Sequence, residues 1–474
     1  MVVSEKYFKA DKTKKIKRQA NMDVKGKKIS IIGAAKSGLA AARTLFNSGA
    51  NIFISDIQPE EKLKATLTKE DLLDKVSYEA NGNTEKVLES DFIVLSPGVR
   101  PDIPVLVKAS EKHIPIYSEI EIAYRLSKGK RLVVTGSNGK TTTTTLLSLF
   151  CREQFDKVFL GGNIGIPMMS FATETTDDSV QVLEVSSFQL ETICDFRPDV
   201  GVITNFFENH LDRYPNYKAY IDAKKNIALN MGPNQCLILN ADQQLMLEMA
   251  PKLKCKTAWF GRNISDKMPA VTIRGDKYVY IAENGNETAL FDENAPKLIG
   301  SHNQENIMCA SLAAILAGVE PQKLEKVVRE FSGVEHRLEW VREVSGINFI
   351  NDSKGTNCAA SITALKACKQ PLILIAGGRD KGTDLTEWVE TIRQTARGVI
   401  LFGEAKDRFR ASLEGVVPLK TAQNLEQSVN IAYQWADKGD TVLLSPACSS
   451  YDQYPNFEVR GEHFKELVNK LSSK

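Results

Sequence analysis

Residues 131–147 read RLVVTGSNGKTTTTTLL: a β-branched and apolar run, a turn with two glycines, and a lysine followed by threonines. A turn of this kind ahead of a helix aims several backbone N–H groups at one spot, and a polyphosphate is the ligand that suits them. Gly136, Ser137, Asn138 and Gly139 make the turn, and Thr142 continues the helix start. Lys140 is placed for the β and γ phosphates, and the Thr141 hydroxyl for a magnesium ion. Val134 stands where the longer Walker pattern has its first glycine, so the match is to the shorter GxxGKT form. An ordinary strand-to-helix turn with an exposed lysine is the competing reading, and the apolar strand in front favours the phosphate.

Polar residues in apolar surroundings extend this chemistry. Glu184 interrupts the apolar run before SSFQLE, and an ionised carboxylate there needs a cation. GVITNFFENHLDRY ends another apolar run with Asn205, Glu208, His210 and Asp212, and with only five histidines in the chain His210 is a metal-ligand candidate. GGNIG adds Asn163. Near the C-terminus, EHRLEW, NDSKGTN, GGRDKG and SPACSSYDQYPNFEVRG place Arg337, Lys354, Lys381 and Ser450 on turns of one sheet edge, an anion-binding rim. Any one of these lysines alone reads equally well as a solvated surface charge.

Near the N-terminus, ISIIGAAKSGLAAARTL is a second glycine turn between strand and helix, with Asp56 at the end of the next strand. This is the outline of a dinucleotide site, but Ala35 replaces the middle glycine where a backbone must approach a pyrophosphate. Glycines that merely let helix and strand pack are an equal reading of the stretch. The later turn LSPGV, with Ser96 and Gly98, would face the same crevice.

The elements that must position these residues follow the rhythm of parallel α/β units. Strands are expected at 28–32, 51–55 and 91–95 with a helix at 37–47, then at 131–135, 182–185 and 200–204 with a helix from Lys140. Hairpin-like alternation at 257–283 precedes a helix at 303–317. A third unit has strands at 347–350, 372–376, 399–402 and 441–445. The fold class is therefore α/β in three domains: a Rossmann-like domain at 22–127, a P-loop ATPase-like domain with a small antiparallel flank at 128–333, and a second Rossmann-like domain at 334–474. Residues 1–21 read as a basic mobile tail.

A chain of 474 residues is long enough for about three cores. Its 42% hydrophobic and 25% charged residues are those of a water-soluble globular protein. The net charge of +2 provides no overall field for nucleic acid or an anionic membrane, so neither is expected as a partner. The eight cysteines stand far apart without metal-finger spacing, and no apolar run reaches the roughly 18 residues a bilayer requires. A cytoplasmic protein is expected.

In their order from about Lys27 to the C-terminus, GAAKSG, SPGV, TGSNGKTT, GGNIG, EVSSFQLE, NHLDRY, HNQEN, HRLEW, NDSKGTN, GGRDKG and SPACSSYDQYPNF resemble the Mur ligase family, and most of all its D-glutamate-adding branch. Ala35 and the basic tail depart from its pattern. The resemblance implies a cytoplasmic ligase of peptidoglycan synthesis, acting as a monomer. It would join D-glutamate to UDP-N-acetylmuramoyl-L-alanine through an acyl-phosphate made with ATP and two magnesium ions. It implies Lys36, Ser37, Asp56, Ser96 and Gly98 at the UDP end and Asn163 at the muramoyl side. Lys140, Thr141, Glu184 and His210 would hold nucleotide and metal. Asn303, Asn306, Arg337 and Asp352 would complete the ATP site, and Lys354, Thr356, Lys381, Ser450 and Phe457 would surround D-glutamate. It also aligns Lys224 with a lysine that carbon dioxide converts to a carbamate ligand of magnesium, although by sequence alone Lys224 and Lys225 read as solvated helix positions.

Three other readings stay open. A nicotinamide oxidoreductase would use the N-terminal turn, and Ala35 opposes it. A regulatory P-loop module would bind or hydrolyse ATP without an amino acid. Sister ligases and folylpolyglutamate synthetase share the chemistry, and the NDSKGTN and SPACSSYDQYPNF pair favours D-glutamate over them.

Overall fold

The computed structural model describes residues 22–208, 213–298, 300–380 and 382–472. The tail at 1–21, His210, Asp212 and Lys381 lie outside the described residues. Two compact units are formed: one holds the described residues up to Ala295 together with Glu305–Val328, the other Pro296–Gln304 and everything from Arg329 onward.

The first unit contains two sheets. Strands β1 (Lys28–Ile32), β2 (Asn51–Ser55), β3 (Ser77–Glu79), β4 (Phe92–Leu95) and β5 (Ile116–Ser118) form a parallel sheet in the order β3-β2-β1-β4-β5. KISII and FIVL are buried except at Lys28, as strands covered on both faces must be. The order reverses beside β1, so the turns after β1 and β4 flank one crevice at the carboxyl edge.

The second sheet places β6 (Lys130–Thr135) between β8 (Val180–Glu184) and β9 (Val200–Ile203), with β7 (Val158–Gly162) beyond β8 and β10 (Cys236–Asn240) and β11 (Lys256–Phe260) beyond β9, all parallel. It then continues through β12 (Ala270–Arg274), β13 (Lys277–Ile281) and β14 (Glu287–Asp292), whose mutual pairing is antiparallel. The antiparallel flank therefore begins at β12 and runs to Asp292, whereas residues 256–260 are a parallel strand. The connections explain the difference. A helix at Gln244–Met249 lies between β10 and β11, while only Gly275 and Asp276 separate β12 from β13. Glu184, read as lying inside a strand, is the last residue of β8.

The two sheets are tied by hydrogen bonds between helices. Thr44 Oγ1, on α1 (Lys36–Asn47), donates to Met169 O at 2.9 Å, and Met169 N–H donates to Glu119 Oε1 at 2.7 Å. Glu119 is fully buried and opens α2 (Glu119–Leu126); burial pushes its carboxyl up to about 7.

The second unit holds a sheet of order β15-β16-β20-β17-β18-β19, made of β15 (Glu339–Val344), β16 (Ile347–Asn351), β17 (Leu372–Gly377), β18 (Ala396–Phe402), β19 (Leu419–Thr421) and β20 (Thr441–Leu444). Only β15 runs antiparallel. The segment EHRLEW, read as a polar turn, thus ends in an edge strand. Its partner follows through Ser345 and Gly346, both at positive φ (53° and 76°), as a two-residue hairpin with right-handed strand twist requires.

Beneath the loops of this sheet Arg460 is fully buried on the helix Phe457–Asn469. Its guanidinium donates to Ser353 Oγ (3.0 Å), Ser353 O (2.8 Å) and Cys448 O (3.3 Å), and burial pushes its pKa down to about 10. One side chain therefore fastens the NDSKGTN and SPACSS turns together. Arg460→Met, close in volume but without donors, leaves those carbonyls unpaired and should cost about 3 kcal/mol. Urea denaturation is the check, and an unchanged midpoint would show that other groups hold the turns.

Candidate functional site

Gly139 is the N-cap of α3 (Lys140–Arg152) and lies in the left-handed region at φ 80°. A Cβ there would sit 2.1 Å from Asn306 Oδ1, and one on Gly136 (φ 143°) 1.9 Å from Thr204 Oγ1, so both positions require glycine. The strand end beside the turn fixes its shape. Asn138 N–H donates to Asn205 Oδ1 (2.8 Å), while Asn205 Nδ2 and Thr204 Oγ1 donate to Asn138 O at 3.2 and 2.6 Å. Ser137 Oγ donates to Phe207 O at 2.9 Å and accepts from Tyr220 OH at 3.1 Å. A glycine N-cap has no side chain to cap the first amides of α3, which suits an anionic ligand.

Two lysines converge on this turn. Lys140 Nζ donates to Gly136 O and Ser137 O, both at 3.0 Å. Lys224 is 2% exposed on α4 (Tyr217–Lys225), donates to the same Gly136 O at 2.7 Å, and stands 4.7 Å over the ring of Tyr220, one turn earlier. Burial, and then the Lys140 charge, hold the Lys224 amine well below the usual lysine range, against the opposing pull of Glu184. Its neighbour Lys225 is partly exposed and pairs with Asp222.

Glu184 is 3% exposed; its Oε1 accepts from Asn163 Nδ2 at 2.7 Å, and its Oε2 is buried without a hydrogen-bond partner. A buried oxygen left over beside the phosphate turn fits a cation. Among the described residues no three His, Cys, Asp or Glu side chains assemble a metal site. A magnesium ion here would therefore combine Glu184 and Thr141 with phosphate and water oxygens, the usual habit of that ion.

The first unit thus brings Gly136, Ser137, Asn138, Gly139, Lys140, Thr141, Thr142, Asn163, Glu184, Lys224 and Asn306 to one place. The N-terminal crevice is separate. Asp56 is buried there and accepts from Ala34 N–H at 2.6 Å and Gln58 N–H at 2.8 Å, while Ser96 Oγ donates to Gly33 O at 2.8 Å. Lys36 and Gly98 are exposed and Ser37 half-buried around these turns.

In the second unit Asp352 is buried at the end of β16, accepting from Ser445 Oγ at 2.7 Å and Leu338 N–H at 3.3 Å. Burial pushes it up to about 7, and Arg337 pulls the other way. Burial and Arg337 push His302 down to about 4. Asn303, beside it in sequence, is buried. Lys354 N–H donates to His336 O, Thr356 N–H to Lys354 O, and the Lys354 ammonium lies 5.6 Å over the Phe457 ring. Ser450 is buried on the adjoining turn, where Tyr454 N–H donates to its carbonyl.

Three supporting residues escaped the sequence-derived set: Thr204, Tyr220 and Arg460. Thr204 had a signal, since it directly precedes Asn205, which the polar cluster after the strand already marks. So did Tyr220, four residues before Lys224 on one helix face. Arg460 had none, because a buried arginine held by carbonyls leaves no charge partner to find.

Three family profiles match the chain: "Mur ligase MurD-like, N-terminal domain" over residues 27–118, "Mur ligase middle domain" over 134–314, and "Mur ligase, glutamate ligase domain" over 336–448. The UDP-N-acetylmuramoylalanine--D-glutamate ligase of Acidobacterium capsulatum is 40% identical, with 94% of this chain and 97% of that protein covered. The protein of the same name from Clostridioides difficile is 36% identical, with 95% and 100% covered. Among solved structures, UDP-N-acetylmuramate-alanine ligase MurC of Thermotoga maritima is 18% identical with a TM-score of 0.58, covering 94% of this chain and 99% of that one. MurF ligase of Thermotoga maritima in complex with ADP is 17% identical with a TM-score of 0.57, covering 89% and 95%. The two structures share the fold; the two sequences, matched over nearly their whole length, carry the assignment, and the chain belongs to the Mur ligase family of ATP-dependent, amide-forming ligases.

Proposed function

We propose that the chain joins D-glutamate to UDP-N-acetylmuramoyl-L-alanine, at the expense of ATP, during assembly of the peptidoglycan precursor. The names of its relatives support the substrates. The single observation that carries the chemistry is the convergence of Lys140, Lys224 and the unpartnered Glu184 oxygen on one glycine turn.

A carboxylate and an amine at neutral pH form a salt, so the carboxylate must be activated first. An alanyl carboxylate oxygen attacks the γ-phosphorus of ATP, ADP leaves, and an acyl-phosphate results. The D-glutamate amine then attacks the acyl carbon, the tetrahedral intermediate expels phosphate, and the nitrogen loses a proton. The chain's part is positioning and neutralising charge. Lys140 turns from the carbonyls of Gly136 and Ser137 toward the transferring phosphoryl group, and Asn163 orients Glu184. Magnesium, when bound, draws charge from the phosphate oxygens; two ions are proposed, with His210 at the second. The UDP end lies against the turns carrying Lys36, Ser37, Ser96 and Gly98, which Asp56 holds in shape. Asn303, Asn306, Arg337 and Asp352 serve ATP, and Lys354, Thr356, Lys381, Ser450 and Phe457 serve D-glutamate.

Lys224 is proposed to act as a carbamate. Burial disfavours the charged form of its amine, and the neutral amine can attack carbon dioxide: an N–C bond forms, one C–O π pair moves to oxygen, and an N–H proton leaves to solvent. The product carries negative charge next to Glu184 and suits magnesium, whereas an ammonium would repel it.

Three outcomes are expected. Lys140→Ala should fold normally, by circular dichroism, and lose at least 100-fold in ADP release, of the order that a single charge-stabilising group contributes; near-normal turnover would remove Lys140 from the chemistry. Lys224→Ala should be nearly inactive and partly rescued by short carboxylic acids, while Lys225→Ala stays active. Full activity of Lys224→Ala, or no effect of added acids, would end the carbamate reading. In a panel of amino acids with UDP-N-acetylmuramoyl-L-alanine present, D-glutamate should drive ADP release far better than D-alanine or L-alanine, because a neutral side chain leaves buried donors unpaired at a cost of about 1–3 kcal/mol each. Equal use of D-alanine would overturn the assignment.

A further inference from the structure

Glu121 is fully buried on α2 and takes no part in the chemistry above. Its carboxylate accepts three consecutive backbone N–H groups: Cys194 at 2.9 Å, Asp195 at 3.0 and 3.1 Å to its two oxygens, and Phe196 at 2.9 Å. Arg125, one turn along, donates to Glu121 Oε1 at 2.8 Å and reaches Asp195 Oδ2 at 2.9 Å. Successive amides turned toward one carboxylate make a nest that the chain fills with its own anion. Such charge-assisted bonds hold a loop more firmly than neutral ones.

The same loop is gripped by a second pair of side chains. Asn226 Nδ2 donates to Leu190 O at 3.0 Å, and Asn230 Nδ2 donates to Cys194 O at 2.8 Å and Phe196 O at 3.1 Å. Asn226 directly follows Lys225, where α4 passes into a short 3-10 turn at Asn226–Ala228. Residues 190–196 therefore join the last helix of the first sheet to the helix that carries Lys224. Both grips act on the backbone of Cys194 and Phe196, one through their N–H groups and the other through their carbonyls.

We propose that Glu121 is a positioning residue for Lys224: by fixing residues 194–196 it sets, through Asn226 and Asn230, the seat of α4 beneath the phosphate turn. The inference rests on the ligase reading for the role of Lys224. A displacement of about 1 Å in a group that must meet phosphate and metal is enough to cost up to about 100-fold in rate. Binding surfaces formed by other elements are left in place.

The test compares full-length wild type, Glu121→Gln, Asn230→Ala and the double variant. Glu121→Gln keeps the shape and replaces one acceptor oxygen by an amide that faces the loop N–H groups. Asn230→Ala acts from the other side of the loop and carries the same test should Glu121→Gln not fold. The expected result is a fall in kcat of about tenfold for Glu121→Gln, less for Asn230→Ala, with KM for ATP within about twofold, and a double variant less impaired than the product of the two. Hydrogen exchange followed by mass spectrometry should show lost protection in both 190–196 and 217–225, with 140–152 unchanged. Unchanged kcat, effects that multiply, or lost protection confined to 190–196 would each overturn the proposal. Wild type that releases no ADP in response to D-glutamate would fail the ligase reading instead, and the exchange measurement would still decide the coupling.

Discussion

The burial of one amine against a glycine turn constrains everything around it. Lys224 is enclosed, and a full positive charge in that position is opposed both by burial and by Lys140. Two ammonium groups cannot comfortably share Gly136 O, yet both lysines donate to it. The conflict is resolved if Lys224 is the neutral partner and Lys140 the charged one. That division of labour is the one the proposed function requires: a cation for phosphate from Lys140 and a nitrogen able to take up carbon dioxide from Lys224. Glu184 completes the set, because its unpartnered oxygen favours positive charge at the point where the turn opens.

Several loops are held by one recurring device: a side chain at or near the end of one element satisfies backbone groups of its neighbour. Asn205 does this for the phosphate turn and Asp56 for the N-terminal turn. Arg460 does it for the two turns of the last sheet, and Glu121 for residues 194–196. Parallel sheets put such turns side by side at their carboxyl edges, where no ladder partner remains for the exposed amides and carbonyls. A polar side chain planted in an adjacent turn supplies that partner and removes a loop's freedom before any ligand arrives.

Much of this was readable from the chain because strands covered on both faces must be continuously apolar. KISII, FIVL, the run before Gly136 and VGVI announce themselves, and glycines mark the turns that follow. Several strands that escaped have weak apolar signals, although β10, CLILN, escaped despite a continuous apolar run. β15, EWVREV, lies at an edge and keeps its charges, and β19 has only three residues. The start of the antiparallel flank was misplaced because periodicity reports a strand and not its direction; direction is set by the length of the connection. At the site, Glu184 was legible as a charge in an apolar run, but the burial of Lys224 was not. YIDAKK gives both lysines the same local context, and only the packing of Tyr220 and the Gly136 carbonyl distinguishes the first from the second.

Asp56 shows how a familiar motif position can change its work. In a dinucleotide fold an acid at the end of the second strand accepts hydrogen bonds from a ribose, and the glycine at the middle of the first turn lets the pyrophosphate approach. Here the middle position is Ala35, and the acid's two oxygens accept from Ala34 and Gln58 N–H groups. The carboxylate is thus turned onto the protein's own backbone, next to the residue that departs from the motif. With both oxygens engaged by backbone N–H groups, Asp56 fixes the shape of the turn, a different task from reading a ribose. On the proposed function a nucleotide sugar would meet the rims of the crevice, where Lys36 and Gly98 are exposed and Ser96 ties its turn to Gly33. The Rossmann-like frame and the missing middle glycine are thus compatible: the strand order supplies a crevice, and Asp56 holds the turn beside Ala35 in shape.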